Sequence, residues 1–119
     1  MSSRPEGKMV TKAMLRAAKR LGLSNKELAR IVGLSESSVS RMRSGTCALN
    51  PQRKSYELAQ LFIRSYLSLE SIVSSDSAAM KAWLRASNSA IGGMPVARLM
   101  SVAGLTEVIA YLDARRNLV

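Results

Sequence analysis

The sequence contains no histidine and a single cysteine, Cys47, among its 119 residues. Without imidazole, proton-relay triads are excluded, and a lone thiol excludes an internal disulfide and a Cys/His zinc site. Acidic side chains are sparse. In the C-terminal half Glu57, Glu70, Asp76, Glu107 and Asp113 lie scattered, without the pairing that carboxylate-only catalysis needs. The expectation is a protein that is not an enzyme and uses neither cofactor nor metal. Long apolar runs are missing as well: no eighteen-residue apolar stretch occurs, and the opening M-S-S-R-P-E-G-K lacks the apolar segment of a secretory signal. Nothing sends the chain to a membrane, and the cytoplasm is the expected location. No alternating strand pattern appears either, which leaves an all-α chain. Its 47% hydrophobic content suffices for one modest core or two small ones.

What the chain has in excess is positive charge, +10 overall, and it is unevenly spread. Residues 1–54 hold twelve Lys and Arg against three Glu, a net +9, whereas residues 55–119 hold six against five acids. Clustered cations gain from the release of DNA counterions, so the basic half points to nucleic acid. Within that half, residues 23–45 read L-S-N-K-E-L-A-R-I-V-G-L-S-E-S-S-V-S-R-M-R-S-G. Small Ala29 and Gly33, with apolar Leu28, Val32, Leu34, Val39 and Met42, suit two helices crossing tightly around a short turn, a helix-turn-helix. Ser24 and Glu27 form a capping box that starts the first helix, Ser35 caps the second, and Ser44-Gly45 ends it. The second helix then shows Glu36, Ser37, Ser38, Arg41 and Arg43 outward, groups suited to a major groove, while Asn25 and Lys26 are placed for a phosphate. The segment resembles the lambda-repressor-like helix-turn-helix of the Xre class of bacterial regulators, which implies double-stranded operator DNA as a partner. Asn25 stands where that class often has a phosphate-contacting glutamine, and it has the shorter reach.

The remaining helices follow from apolar spacing. Over residues 7–21 Met9, Ala13, Met14, Ala17 and Leu21 fall on one side, with Lys8, Lys12, Arg16, Lys19 and Arg20 opposite. That basic stripe is either a solvated face or a contact for flanking phosphates. Asn50-Pro51 reads as a helix start, with a long helix following to about residue 74. Its apolar members span about 240° of the circumference at ~100° per residue. So wide a face points to a homodimer held by Phe62, Tyr66 and Leu69, because a helix-turn-helix generally reads a palindrome as two copies; the alternative is a central core helix in a monomer. Ser74-Ser75-Asp76-Ser77 is a turn cluster, followed by a short helix with Met80, Trp83 and Leu84 on one face. Residues 87–94 break it, Pro95 opens another short helix, Ala103-Gly104 marks a further break, and Thr106 caps a last helix with Val108, Ile109 and Leu112 inward. Arg115 and Arg116 lie near its negative end. The expected domains are a DNA-binding unit at 1–54 and a dimerisation and partner-binding unit at 55–119.

The C-terminal half carries a second signature. Ala82-Trp83-Leu84, Asn88, Ile91-Gly92-Gly93, Pro95, Leu99, Gly104-Leu105, Val108 and Tyr111-Leu112 together resemble the toxin-binding domain of the MbcA/ParS/Xre antitoxins. Taken by themselves, two glycines and a proline form a rigid turn of little bulk that either admits another backbone or merely joins two helices. The resemblance implies a RES-domain toxin, an NAD-consuming enzyme whose active site the antitoxin occludes, in a hetero-oligomeric complex, with autorepression of the operon through the N-terminal half. Carried onto this sequence, it puts Asn88, Gly92, Gly93, Pro95, Tyr111, Arg115 and Arg116 at or near the toxin. Trp83, Leu84, Leu99, Val108 and Leu112 are expected to form the small core beneath them. The competing reading is a dimeric helix-turn-helix regulator without a toxin partner.

Overall fold

A nineteen-residue helix runs through the middle of the molecule and is shared by both of its halves. The computed structural model describes residues 5–117, so the outermost residues of the two expected domains, 1–4 and 118–119, lie outside the described residues. In chain order the helices are α1 (Pro5–Leu21), α2 (Asn25–Val32), α3 (Glu36–Arg43), α4 (Lys54–Ile72), α5 (Ser77–Arg85), α6 (Pro95–Arg98) and α7 (Val102–Arg116). Helix α4 packs on α1, α2 and α7, while α5 bridges α1 and α6. Among the described residues there is no strand, only an isolated bridge between Asn88 and Gly93, so the chain is all-α as expected. None of the described helices is long and apolar enough to cross a membrane.

Helix α1 buries a face rotated from the one its apolar residues suggest. Of the expected residues Met14, Ala17 and Leu21 are buried, together with Gly7, Thr11 and Ala18, whereas Met9 is 70% exposed and Ala13 is exposed too. The cause is a long-range contact. A Cβ at Gly7 would lie 2.3 Å from the carbonyl oxygen of Leu49, and the Thr11 hydroxyl accepts from Leu49 N–H at 2.8 Å while donating to Gly7 O at 2.6 Å. The chain leaving α3 is thereby stitched to α1.

Asn50-Pro51 does not start α4. The Asn50 side chain accepts from Gln52 N–H at 3.0 Å and its carbonyl from Arg53 N–H at 2.9 Å, which closes a turn; the helix begins at Lys54 behind an extended Arg53. An asparagine that satisfies the backbone two residues on makes a turn as readily as a cap.

The wide apolar arc of α4 is covered by the chain's own helices. Phe62, Tyr66 and Leu69 are 0%, 6% and 2% exposed, so the three residues expected at a dimer contact lie in the core. Three partners, α1, α2 and α7, surround α4 and together bury what one neighbour cannot. At the far end of the molecule Ser101 caps α7 by accepting from Gly104 N–H at 3.0 Å, so the helix starts four residues before Thr106. Gly104 is thus inside that helix rather than a break, and it is a packing position, since a Cβ there would sit 2.0 Å from Arg98 O. Thr106 donates back to the carbonyls of Val102 and Ala103 instead of capping.

Candidate nucleic-acid and partner interfaces

The turn between α2 and α3 has the geometry its residues call for. Gly33 adopts φ 71°, and its N–H and that of Leu34 both bond Ala29 O, ending α2 in a left-handed cap. Ser35 then caps α3 by accepting from Ser38 N–H at 3.1 Å. Val39 and Met42 anchor α3 to the core, leaving Glu36, Ser37, Arg41 and Arg43 exposed and Ser38 half-buried. One row is internally ordered: the Ser35 and Ser38 hydroxyls lie 2.9 Å apart, and Arg41 Nη2 donates to Ser38 Oγ at 3.2 Å. Arg43 donates through Nε to Asn25 Oδ1, which ties the end of α3 to the start of α2. Asn25 still has its side-chain NH2 to offer a phosphate, beside the exposed Lys26. Ser35, Ser38 and Arg41 thus form one hydrogen-bonded row and Asn25 and Arg43 a separate pair, and Lys26, Glu36 and Ser37 are exposed on the same two helix starts.

Behind this surface Glu27 closes the capping box, accepting from Ser24 N–H at 3.0 Å while its own N–H reaches Ser24 Oγ at 3.1 Å. Hydrogen bonding from Arg85 outweighs the desolvation of the carboxyl and, with the Ser24 bonds, draws its pKa down to about 2. Along α1, Lys8, Lys12, Arg16 and Lys19 are exposed and enter no ion pair among the described residues. Arg20 leaves that stripe: it donates to Ser75 O and lies 4.0 Å from Glu70, so it joins α1 to the α4–α5 corner.

The residues expected at a protein partner lie in the loop from Asn88 to Gly93, at the start of α6 and on α7. Asn88 gathers the loop onto itself. Its carbonyl accepts from the N–H groups of Ile91, Gly92 and Gly93, its Oδ1 accepts from Ala90 N–H at 3.0 Å, and its N–H donates to Gly93 O at 3.0 Å. Gly92 and Gly93 have φ of 85° and 150°, and a Cβ on either would meet nothing within 4 Å. They serve the backbone conformation, and the space beside them is open. Pro95 differs from the expectation: it is buried at the first position of α6, where it fixes the chain rather than presenting a surface.

On α7 the expected contact residues divide between two faces. The Tyr111 ring stacks on Trp83 with centroids 6.4 Å apart and planes inclined by 21°, and the Arg115 guanidinium carbon lies 5.9 Å from the Tyr111 centroid. Trp83 is half-buried, not a core residue, and completes an aromatic and cationic ledge that apolar spacing on α5 did not separate from the core. Arg116 turns the other way and donates to Ser68 Oγ at 3.3 Å. There Asp113 accepts from Ser68 Oγ at 2.9 Å and from Arg64 at 2.5 Å. Burial pushes the Asp113 carboxyl up, yet these bonds and the nearby arginines together hold it below its usual range. Among the described residues no three His, Cys, Asp or Glu side chains converge as a metal site would require.

Residues 6–64 match the family described as antitoxin Xre-like helix-turn-helix domain. Residues 68–117 match the antitoxin Xre/MbcA/ParS C-terminal toxin-binding domain. The two matches meet inside α4, and between them they span nearly the whole chain. No curated protein matches it.

Proposed function

The chain belongs to the Xre/MbcA/ParS-type antitoxins, which join a helix-turn-helix to a toxin-binding domain, and from that premise we propose that it neutralises a RES-domain, NAD-consuming toxin by occluding its active site. What carries this reading is the ledge of Trp83, Tyr111 and Arg115, which lies, like the open Asn88–Gly93 loop, within the stretch that matches the toxin-binding family. Aromatic rings and arginine are the groups that dominate interface energetics, and here they are held in place by stacking before any partner arrives. Arg115, exposed at the rim, has the fork that suits a phosphate or carboxylate in a nucleotide pocket. Asn88, Gly92 and Gly93 supply a low-profile flank, and Arg116 supplies a second one on the α4 side.

The same protein binds the operator of its own operon through α3 and acts there as a cytoplasmic repressor. The net +9 of residues 1–54 provides sequence-independent attraction, and Ser38 and Arg41 offer the groove-facing donors. Two copies read a two-fold site within the hetero-oligomeric complex. With Phe62, Tyr66 and Leu69 committed to the core, the homodimer uses the outer side of α4, where Leu67 is 49% exposed. The test starts from the neighbouring reading frames: a RES-type protein encoded there is co-expressed with this chain, reading growth and cellular NAD. Growth arrest and NAD loss that this chain fails to prevent would overturn the reading.

A further inference from the structure

Arg85, on the helix that opens the toxin-binding half, reaches back into the DNA-reading half. Its Nη1 donates to Glu27 Oε2 at 2.6 Å, and its Nη2 donates to Glu27 Oε1 at 2.9 Å and to Gly22 O at 3.3 Å. The carboxylate that closes the capping box of α2 thus also takes a two-pronged arginine from α5. The base of α5 is itself anchored to the same corner, since Ser77 Oγ donates to Arg20 O at 2.6 Å and Arg20 donates to Ser75 O. Glu27 lies about 200° around the helix axis from Asn25, the residue that accepts from Arg43 of the recognition helix. The first turn of α2 is therefore gripped from two sides by two guanidinium groups, one from α3 and one from α5.

We infer that Arg85 is a positioning residue for DNA recognition: by holding Glu27 it fixes the first turn of α2 and, through Asn25, the end of α3. The inference rests on the DNA-reading role of the helix-turn-helix and extends it to a residue in the other half of the chain. A bidentate arginine fixes orientation as well as distance, which a lysine at the same place does not. Both prongs of Arg85 are occupied by Glu27, so its effect on DNA runs through α2 rather than through a phosphate.

The experiment uses the full chain and a duplex taken from the DNA immediately upstream of its coding sequence, against a random duplex of equal length, over a range of salt. Arg85→Ala and Arg85→Lys are both expected to weaken binding to the upstream duplex by about tenfold, to lower the preference over random DNA, and to leave the salt slope unchanged. Full affinity in Arg85→Lys, with a slope reduced by about one in Arg85→Ala, would mean a direct phosphate contact and would overturn the inference. Circular dichroism separates these losses from unfolding. Glu27→Gln provides the second arm, because it keeps a capping side chain while removing a negative charge near DNA. By charge alone it tightens binding to both duplexes; as the partner of Arg85 it loosens the upstream one. Tighter binding there sinks the inference even if the arginine variants do not fold. A wild-type chain with no preference for the upstream duplex would remove the operator reading itself, whereas wild-type preference with unaffected variants removes only the role of Arg85.

Discussion

Trp83 and Tyr111, twenty-eight positions apart, stack at 6.4 Å and bring the middle of α7 against α5 through two half-buried rings. Both rings are left partly accessible, with the exposed Arg115 beside Tyr111. Tyr111→Ala and Arg115→Ala are therefore expected to cost about 2 kcal/mol each in toxin affinity, roughly thirtyfold, with protection on co-expression lost in the pair. Arg116→Ala, which removes a bond to Ser68 on the other face, should cost much less. Calorimetric titration of each variant checks the order, and an equal loss for Arg116→Ala would place the toxin on the α4 side.

Arg41→Ala should weaken operator binding by about 1 to 3 kcal/mol while leaving toxin neutralisation intact. Arg41 is exposed on α3 and already oriented by Ser38. Equal losses on operator and random DNA would reassign Arg41 to phosphate contact.

Glu27 makes stability depend on acid. Its carboxyl titrates at about 2 in the folded chain against 4.5 ordinarily, so its contribution is present above the unfolded value and disappears as pH falls from about 5 toward 2. The Arg85 partner is 45% exposed, and solvent screening brings the contribution to about 1 kcal/mol. Thermal unfolding at pH 5 and pH 3 should show a smaller drop in Glu27→Gln than in the wild type.

Gly104 and Gly92 separate two uses of glycine. Gly104→Ala drives a Cβ to 2.0 Å from Arg98 O and should destabilise the chain by about 1 to 3 kcal/mol through forced separation of α6 and α7. Gly92→Ala meets no atom but keeps φ 85°, which should cost about 1 kcal/mol. Urea unfolding distinguishes them, and equal costs would argue that α7 yields freely.

Phe62→Glu tests the core assignment of α4. A charge at a fully buried site without a partner should unfold the chain rather than yield a folded monomer. A folded, soluble Phe62→Glu protein in sedimentation and circular dichroism would return Phe62 to an interface.

The parts of the structure that could be read in the sequence were those whose causes lie within a few residues. Ser24 with Glu27, and Ser35, start the two helices of the helix-turn-helix by local hydrogen bonds, and each is found in that role. Where a distant residue decides, the local pattern misled. Leu49 selects the inward face of α1, which left Met9 outside, and the Arg98 carbonyl turns Gly104 from an apparent break into a packing position. The arc of α4 was legible as wide, but only the arrangement of α1, α2 and α7 around it decides that its own chain fills it. For the site the division is similar: the α3 residues could be placed from their caps, whereas the pairing of Tyr111 with Trp83, the burial of Pro95 and the grip of Arg85 on Glu27 arise from tertiary contact.

Because the two family matches meet in mid-α4, between residues 64 and 68, the junction of the halves is a continuous helix and not a tether. A helix transmits phase. One residue inserted there would rotate everything beyond it by about 100° and advance it by about 1.5 Å, unmaking the contacts of α5 and α7 with the DNA-reading half. A chimaera that gives this chain another DNA-reading half is therefore expected to fold only when the crossover preserves the residue count along α4, so that operator choice and toxin choice recombine in register.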